Sequence, residues 1–419
     1  MLHDKTVVLG LSGGIACYKA AELVRALVKQ GVTVRVVLTR GAAQFITSLT
    51  LQTLSGHPVA IDTFDLTQES EIGHIRLADS ADVLVIAPAT ANVIAKLAHG
   101  IADDLLTTVA LATRAPIVVA PAMNVNMYRN PVVQANLAKL RQLGMHLVDP
   151  EAGWLACGYE GEGRLASEAS LLEGIKTALT PQVMAGERVL VTAGPTREAI
   201  DPVRFISNRS SGKMGFAVAA AARRHGASVV LVTGPTALEA PLGVERIAVT
   251  TASEMRDAVL AREPWASVVV MTAAVADYRA AHPARHKIKK GNGSLSLALE
   301  QTEDILSEVG ARRRADRLLV GFAAETEHGI EHARRKLREK RLDLIVLNDV
   351  SQTDAGFDVD TNRVWLISAE GEAEGWPLLD KEVVAERLME RVASLRSSAS
   401  GPAEPKAGAR ARRERVAEP

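Results

Sequence analysis

Three groups of residues in this chain could do chemistry. The first is a glycine cluster, Gly10-Leu11-Ser12-Gly13-Gly14, between an apolar run and a helical one. Small residues there let backbone N–H groups and the positive end of a helix approach an anion. A tight turn with nothing bound reads the same way. No Lys-Ser/Thr pair follows, so this is not a P-loop, and it is not G-x-G-x-x-G. The second group lies between Ala193 and Lys213 and reads Gly194-Pro195-Thr196-Arg197, then Asn208-Arg209-Ser210-Ser211-Gly212-Lys213. Arginines, hydroxyls and glycines together suit an anion. A solvated loop is the alternative, but loops of about twenty residues inside a compact domain are uncommon and usually functional. The third group can move protons or gather charge: His74, Cys157 and the lysines Lys287, Lys289 and Lys290. A lone histidine after a glycine often only caps a helix, and a lysine run is often a solvated face. Cys157 lies in a glycine-rich stretch, Gly153 to Gly163, which suggests a mobile flap rather than core. An ordinary thiol, with a pKa of about 8.5, is mostly protonated at neutral pH and can give a proton. Cys17, on the apolar side of the first helical stretch, reads as core filling.

The elements around these groups alternate strand and helix, which predicts two doubly wound, mainly parallel, three-layer α/β domains, flavodoxin-like or Rossmann-like. In the first half Thr6–Leu9 reads as a buried strand, Ile15–Gln30 as an amphipathic helix and Thr33–Leu38 as the next strand. Val83–Ile86 and Ile117–Ala120 follow, each stopping at a proline and a polar loop, Pro88-Ala89-Thr90-Ala91-Asn92 and Pro121-Ala122-Met123-Asn124. The pattern restarts with strand Val189–Thr192, helix Met214–His225 and strands Ser228–Val232, Val268–Met271, Leu318–Val320 and Leu344–Leu347. Pro181–Glu187 is the expected joint, so the domains are predicted at 1–180 and 187–395, with 396–419 a tail without apolar periodicity.

Ligands in open parallel sheets bind beyond the carboxyl ends of strands. In the first half those ends carry Ser12, Thr39, Thr90, Asn92, Ala122 and Asn124. They are hydrogen-bonding or small residues without charge, suited to the polar edge and single phosphate of a flavin. An NAD site would place an acidic residue where Thr39-Arg40 stands, which argues against a nicotinamide reductase.

At 419 residues the chain exceeds one ordinary core. Lys+Arg and Asp+Glu are equal at 49 each, so no global field favours nucleic acid or an anionic membrane. Two cysteines far apart suggest neither a zinc site nor a disulfide framework. The start of the chain lacks a signal-peptide core and no apolar run is long enough to span a bilayer, so a cytoplasmic protein is expected.

The motifs just quoted, together with Gly73-His74-Ile75, Ala156-Cys157-Gly158, Ala273-Ala274-Val275-Ala276-Asp277-Tyr278 and Lys287-Ile288-Lys289-Lys290, occur in one order from Lys5 to about Arg391. On them the chain resembles the bifunctional phosphopantothenoylcysteine decarboxylase/phosphopantothenate–cysteine ligase family of bacterial coenzyme A biosynthesis. The resemblance implies that the first half decarboxylates 4′-phosphopantothenoylcysteine on FMN. The flavin withdraws electrons from sulfur so that the neighbouring carbon can lose CO2. Ser12, Gly13, Thr39, Thr90, Ala91, Asn92 and Ala122 would hold FMN; His74 would handle the proton or carboxylate of the oxidative step, Asn124 would meet the substrate carboxylate, and Cys157 would protonate the enethiol. For the second half it implies ligation of L-cysteine to 4′-phosphopantothenate through an acyl-cytidylate, with CTP and Mg2+. Asn208 and Lys287 would act in the two steps, Lys287 in forming the acyl-cytidylate. Ala273, Ala274, Asp277, Lys287, Glu303, Asp304, Ile305, Leu306, Phe322, Lys336 and Lys340 would contact CTP. The family usually carries a proline in the segment that here reads Glu303-Asp304-Ile305-Leu306. The resemblance also implies homo-oligomers, trimers through the first half and dimers through the second. A flavin-binding regulatory protein is the rival reading, and it would need neither Cys157 nor a complete ligase half.

Overall fold

In a computed structural model of the chain, the described residues are 1–63, 73–154, 158–290, 294–325, 328–349, 359–369 and 371–399. The chain divides into two compact units, Met1–Gln182 and Val183–Pro419.

The first unit runs β1 (Thr6–Leu11), α1 (Cys17–Lys29), β2 (Thr33–Leu38), α2 (Ser48–Ser55), α3 (His74–Ser80), β3 (Val83–Ala89), α4 (Ala91–His99), α5 (Leu105–Ala112), β4 (Ile117–Pro121), α6 (Val125–Tyr128), α7 (Pro131–Gln142), β5 (His146–Leu147), β6 (Glu151–Trp154), β7 (Glu160–Arg164) and α8 (Glu168–Leu179). Its sheet is parallel in the order β2-β1-β3-β4-β5. This is the flavodoxin-like order, whose topological switch point lies between β1 and β3. Strand β1 alternates across the sheet: Val7, Leu9 and Leu11 face one apolar layer and Val8 the other. Cys17 is fully buried in the first layer, where burial pushes its thiol pKa up.

The second unit runs β8 (Arg188–Ala193), β9 (Arg197–Ala199), β10 (Phe205–Ser207), α9 (Lys213–Arg224), β11 (Ser228–Thr233), β12 (Glu245–Ala248), α10 (Ala252–Arg262), β13 (Val268–Met271), β14 (Tyr278–Ala280), β15 (Leu299–Gln301), α11 (Ile305–Ala311), β16 (Leu318–Glu325), α12 (Gly329–Glu339), β17 (Leu344–Asp349), β18 (Thr361–Ser368), β19 (Glu374–Asp380) and α13 (Lys381–Ala399). The main sheet has the order β12-β11-β8-β13-β16-β17-β18-β19. It is parallel as far as β17, and β18 and β19 add antiparallel at one edge. Alternate residues of β8 and β13 again feed two apolar layers, Val189, Val191, Val268 and Val270 on one side, Leu190, Val269 and Met271 on the other.

Four expectations need correction. Ala193–Lys213 is not a bare loop, because β9 and β10 pair antiparallel within it and satisfy its backbone. Strands β3 and β4 run through their prolines, to Ala89 and Pro121, since a strand end needs no further N–H from proline. Strands β16 and β17 extend to Glu325 and Asp349, beyond the apolar runs. Helix α13 continues past Arg396 to Ala399, and Ser397 and Ser398 donate their hydroxyls to the carbonyls of Ala393 and Ser394, both at 2.9 Å, instead of competing for the backbone of another conformation. The rest of the expected tail lies outside the described residues.

Candidate active sites

The helices differ in how they begin. Thr47, Thr90, Asp104, Ser167 and Thr251 cap α2, α4, α5, α8 and α10 with their side chains. Helices α1, α3 and α9 start from Ala16, Gly73 and Gly212 with no side-chain cap. In α1 the first N–H groups turn back on the loop itself, Cys17 donating to Gly14 O and Lys19 to Ala16 O, both at 3.0 Å.

In the first unit, β1 and β3 end side by side at the switch point. The buried Ser12 hydroxyl donates to the Pro88 carbonyl at 2.7 Å and accepts the Thr90 N–H at 2.8 Å, binding the two strand ends together. Gly13 then passes so close to Gly41 that a Cβ on it would meet the Gly41 carbonyl carbon at 2.8 Å. Thr39 accepts the Ala42 N–H at 3.2 Å, which turns the chain after β2 around this crossing. Ala91 and Asn92 form the first turn of α4, and Ala122 donates its N–H to Ala89 at 3.0 Å, tying the end of β4 to that of β3. Ser12, Gly13, Thr39, Thr90, Ala91, Asn92 and Ala122 thus lie at or beside adjacent strand ends. A backbone cradle that excludes Cβ, next to an uncapped helix start, suits a phosphate, and the uncharged rim suits a flavin ring: these residues fit FMN.

His74 is the first residue of α3. Asn124 lies three residues past β4 and its Oδ1 accepts the Asn126 N–H at 2.8 Å, so it caps α6. The β6–β7 hairpin docks beside it: Met123 donates to the Gly163 carbonyl at 2.9 Å, and a Cβ on Gly163 would meet Met123 O at 2.2 Å. Cys157 lies outside the described residues.

The second unit has a cleft of about 710 Å³ at the carboxyl ends of its central strands. That is the size of a small-molecule site. Gly215 lets α9 close on β8 and β13, since a Cβ there would meet Thr272 Oγ1 at 2.4 Å and Ala193 Cβ at 2.5 Å. The cleft wall includes Asn208, Ala273, Ala274, Asp277, Glu303, Asp304, Ile305, Leu306, Phe322 and Lys340. Asn208 Nδ2 donates to the carbonyls of Val275 at 2.9 Å and Ala274 at 3.4 Å. Lys340 Nζ meets both Asp304 oxygens, at 3.0 and 2.9 Å. Burial pushes the Asp304 carboxyl up, but the Ser307 N–H and the Lys340 charge outweigh it and hold the pKa below the usual range. Glu303 takes Arg279 Nη1 at 3.1 and 3.3 Å, and its own backbone N–H and then Arg279 lower its pKa.

Lys287 and Lys336 are not on the cleft wall. Lys287 is exposed and Lys336 half-buried on α12. Conversely, the wall includes Asn348, Asn362 and Lys381, which sequence reasoning did not single out, besides Lys213 of the glycine-rich segment. Lys213 pairs with Asp360 at 2.7 Å and Lys381 donates to the Val359 carbonyl. Asn348 lies at the end of the last parallel strand, Asn362 lies on the antiparallel β18 and Lys381 opens α13, where no glycine or charge motif marks a site. Among the described residues no group of three or more His, Cys, Asp or Glu could hold a metal ion. No described helix is long and apolar enough to cross a membrane.

Comparison with known proteins decides the family. Residues 1–180 match the Flavoprotein family model, and residues 184–395 that of the DNA/pantothenate metabolism flavoprotein C-terminal domain. The chain is 47% identical over 399 residues to the coenzyme A biosynthesis bifunctional protein CoaBC of Bacillus subtilis, covering 94% of this chain and 98% of that one. It is 45% identical over 395 residues to CoaBC of Escherichia coli, covering 93% and 97%. The chain belongs to the CoaBC family of bifunctional coenzyme A biosynthesis proteins. It is an enzyme with phosphopantothenoylcysteine decarboxylase and phosphopantothenate–cysteine ligase activities. Among solved structures, the C-terminal domain of a CoaBC aligns at 42% identity and TM-score 0.44, over 51% of this chain and 97% of that one. A PPC decarboxylase mutant complexed with pantothenoylaminoethenethiol aligns at 34% identity and TM-score 0.37, over 41% and 96%.

Proposed function

We propose that the two activities divide at the joint: residues 1–180 decarboxylate 4′-phosphopantothenoylcysteine with FMN, and residues 187–395 ligate L-cysteine to 4′-phosphopantothenate with CTP. The observation that carries the second assignment is the cleft, which draws Asn208, Ala273, Asp277, Asp304, Phe322 and Lys340 from distant parts of the chain to one wall.

In the first unit, bound FMN supplies the means to withdraw electrons from the cysteine sulfur and return them later. The chain's part is to seat the phosphate at the Gly13 crossing, to orient the ring with Thr90, Asn92 and Ala122, and to move protons. His74 takes the thiol proton or holds the carboxylate, Asn124 meets that carboxylate through its amide, and Cys157 gives the last proton.

In the second unit, a triphosphate meeting a phosphorylated carboxylate gathers strong negative charge. Lys340 on the wall and Lys287 and Lys336 beyond it offset that charge, Lys287 in forming the acyl-cytidylate. Asn208, held by two carbonyls, then presents the acyl-cytidylate to the cysteine amine. Asp277, Ala273, Ala274, Phe322 and residues 303–306 seat the nucleotide. Magnesium enters on the triphosphate rather than in an acidic cage of the protein, in keeping with its habit of binding through substrate phosphates. The enzyme works in the cytoplasm as a homo-oligomer.

The test supplies 4′-phosphopantothenate, cysteine and Mg2+ with either CTP or ATP, and follows pyrophosphate and CO2 separately. CTP should drive pyrophosphate release and then CO2 release. Equal rates with ATP would remove the CTP reading, and pyrophosphate without CO2 would remove the coupling to the first unit.

A further inference from the structure

Lys287, expected to act in the ligase reaction, stands exposed and off the cleft wall, so where its side chain can reach depends on how its backbone is held. The neighbouring hydrogen bonds show what holds it. Asp201, in the turn between β9 and β10, has a side chain with no exposure at all. Its Oδ1 accepts the N–H groups of Val203 at 2.9 Å and Arg204 at 2.8 Å. Those two bonds are what an Asx-type turn requires. Its Oδ2 does something else. It accepts Arg204 Nε at 3.0 Å and Nη2 at 2.6 Å, and also the backbone N–H of Ile288 at 3.1 Å. Arg204 Nη2 in turn donates to the Ile288 carbonyl at 3.0 Å. Both backbone groups of the residue after Lys287 are therefore clamped by one ion pair. A few residues earlier, Ala284 donates its N–H to the Ile200 carbonyl at 2.9 Å, a second grip by the same turn.

The other end of the hairpin is anchored in the cleft. Ser207 donates to Thr196 O at 2.7 Å, and Asn208 is tied to Val275 and Ala274. The β9–β10 hairpin is thus a strut between the cleft floor and the lysine segment. A buried carboxylate is costly unless its lone pairs are satisfied. Here they are satisfied partly by a segment remote in sequence, which a turn alone does not need.

We propose that Asp201 is a positioning residue for the ligase reaction, holding Lys287 within reach of the cleft by gripping the backbone of Ile288. The proposal rests on the reading of Lys287 given above. A lysine that acts on a forming acyl-phosphate bond must sit within about an ångström of its working position, and misplacement on that scale costs up to about a hundredfold in rate.

The test uses the full chain with Asp201→Asn, which keeps the side chain's shape while removing the charge that holds Arg204. Pyrophosphate release should fall about tenfold or more in kcat, with the KM for CTP within about twofold. Trypsin should cut after Lys287, Lys289 or Lys290 faster than in the parent, and decarboxylation of supplied 4′-phosphopantothenoylcysteine should be unchanged. An unchanged kcat in the folded variant overturns the proposal, as does a loss that appears as a rise in KM with no change in tryptic cleavage. If Asp201→Asn fails to fold, Ile288→Pro decides by kcat and by tryptic cutting after Lys289 or Lys290, since trypsin does not cut before proline; it deletes the gripped N–H and leaves the Asp201–Arg204 turn intact. Lys287→Gln run in parallel separates the two levels. Full turnover in it removes the lysine reading and the proposal with it. Loss in Lys287→Gln, with none in the folded variants of the grip, removes the grip alone.

Discussion

The Ser12 hydroxyl and the Thr90 backbone N–H, 2.8 Å apart, join the carboxyl ends of β1 and β3 at the switch point of the first sheet. Because Ser12 is buried and also donates to Pro88, removing the hydroxyl leaves a donor and an acceptor without this partner. Ser12→Ala should cost about 1–3 kcal/mol in the stability of the first unit. It should also weaken FMN retention, read as flavin absorbance remaining after dialysis. A variant that keeps both its thermal midpoint and its flavin would show that this bridge is dispensable.

Gly13 tests the cradle from the other side. In Gly13→Ala the new methyl meets the Gly41 backbone at 2.8 Å, a distance that real Cβ atoms essentially never show, so one strand end must move. The purified variant should be colourless or nearly so, while pyrophosphate release with CTP stays at the parent rate. Retained yellow colour with normal decarboxylation would place the phosphate elsewhere.

Lys340 and Asp304 make a rim pair of a different kind. Both are partly exposed, so the pair adds less than about 1 kcal/mol to folding. Lys340→Gln should therefore leave the thermal midpoint nearly unchanged and raise the KM for CTP by about tenfold, with the effect shrinking as salt rises. Unaltered KM at low salt would take Lys340 out of the nucleotide site.

Glu386 on α13 receives Arg224 Nε at 2.7 Å and His225 Nε2 lies 2.9 Å from its other oxygen. Burial pushes this carboxyl up, but the His225 hydrogen bond and the Arg224 charge outweigh it, so its folded pKa lies below the usual range. The stabilisation is then whole above the unfolded glutamate value of about 4.3 and is lost as pH falls through the lowered one. Glu386→Gln should destabilise the second unit by about 2 kcal/mol at neutral pH, since the buried Arg224 loses the charge of one of its carboxylate partners. The difference between parent and variant should narrow in acid melts below about pH 4.

Cys157→Ser addresses the last proton transfer. Oxidation and CO2 loss should continue, and mass spectrometry should find a product two hydrogens lighter than 4′-phosphopantetheine. A normal yield of 4′-phosphopantetheine would end the assignment of Cys157 as proton donor.

Strand–helix alternation was legible in the residues because buried parallel strands are near-continuous Val, Leu and Ile runs, as in Val83–Ile86 and Val268–Met271. The glycine entries to α1 and α9 were legible too, because only small residues allow such close backbone crossings. Less of the wall was legible at Asn348, Asn362 and Lys381. They come from the end of β17, from β18 and from the start of α13, three elements whose meeting carries no local signature, and single polar residues there look like surface.

The amino-acid sequence by itself determined two mainly parallel α/β cores, the place of each glycine-rich loop and the membership of the family, since periodicity and short motifs are local properties. Tertiary structure alone decided that Ser12 bridges two strands, that Asp304 and Lys340 share one rim, and that Asp201 grips the peptide beside Lys287. Each of these joins segments distant in the chain, and a contact of that kind exists only once sheet order and register bring them together.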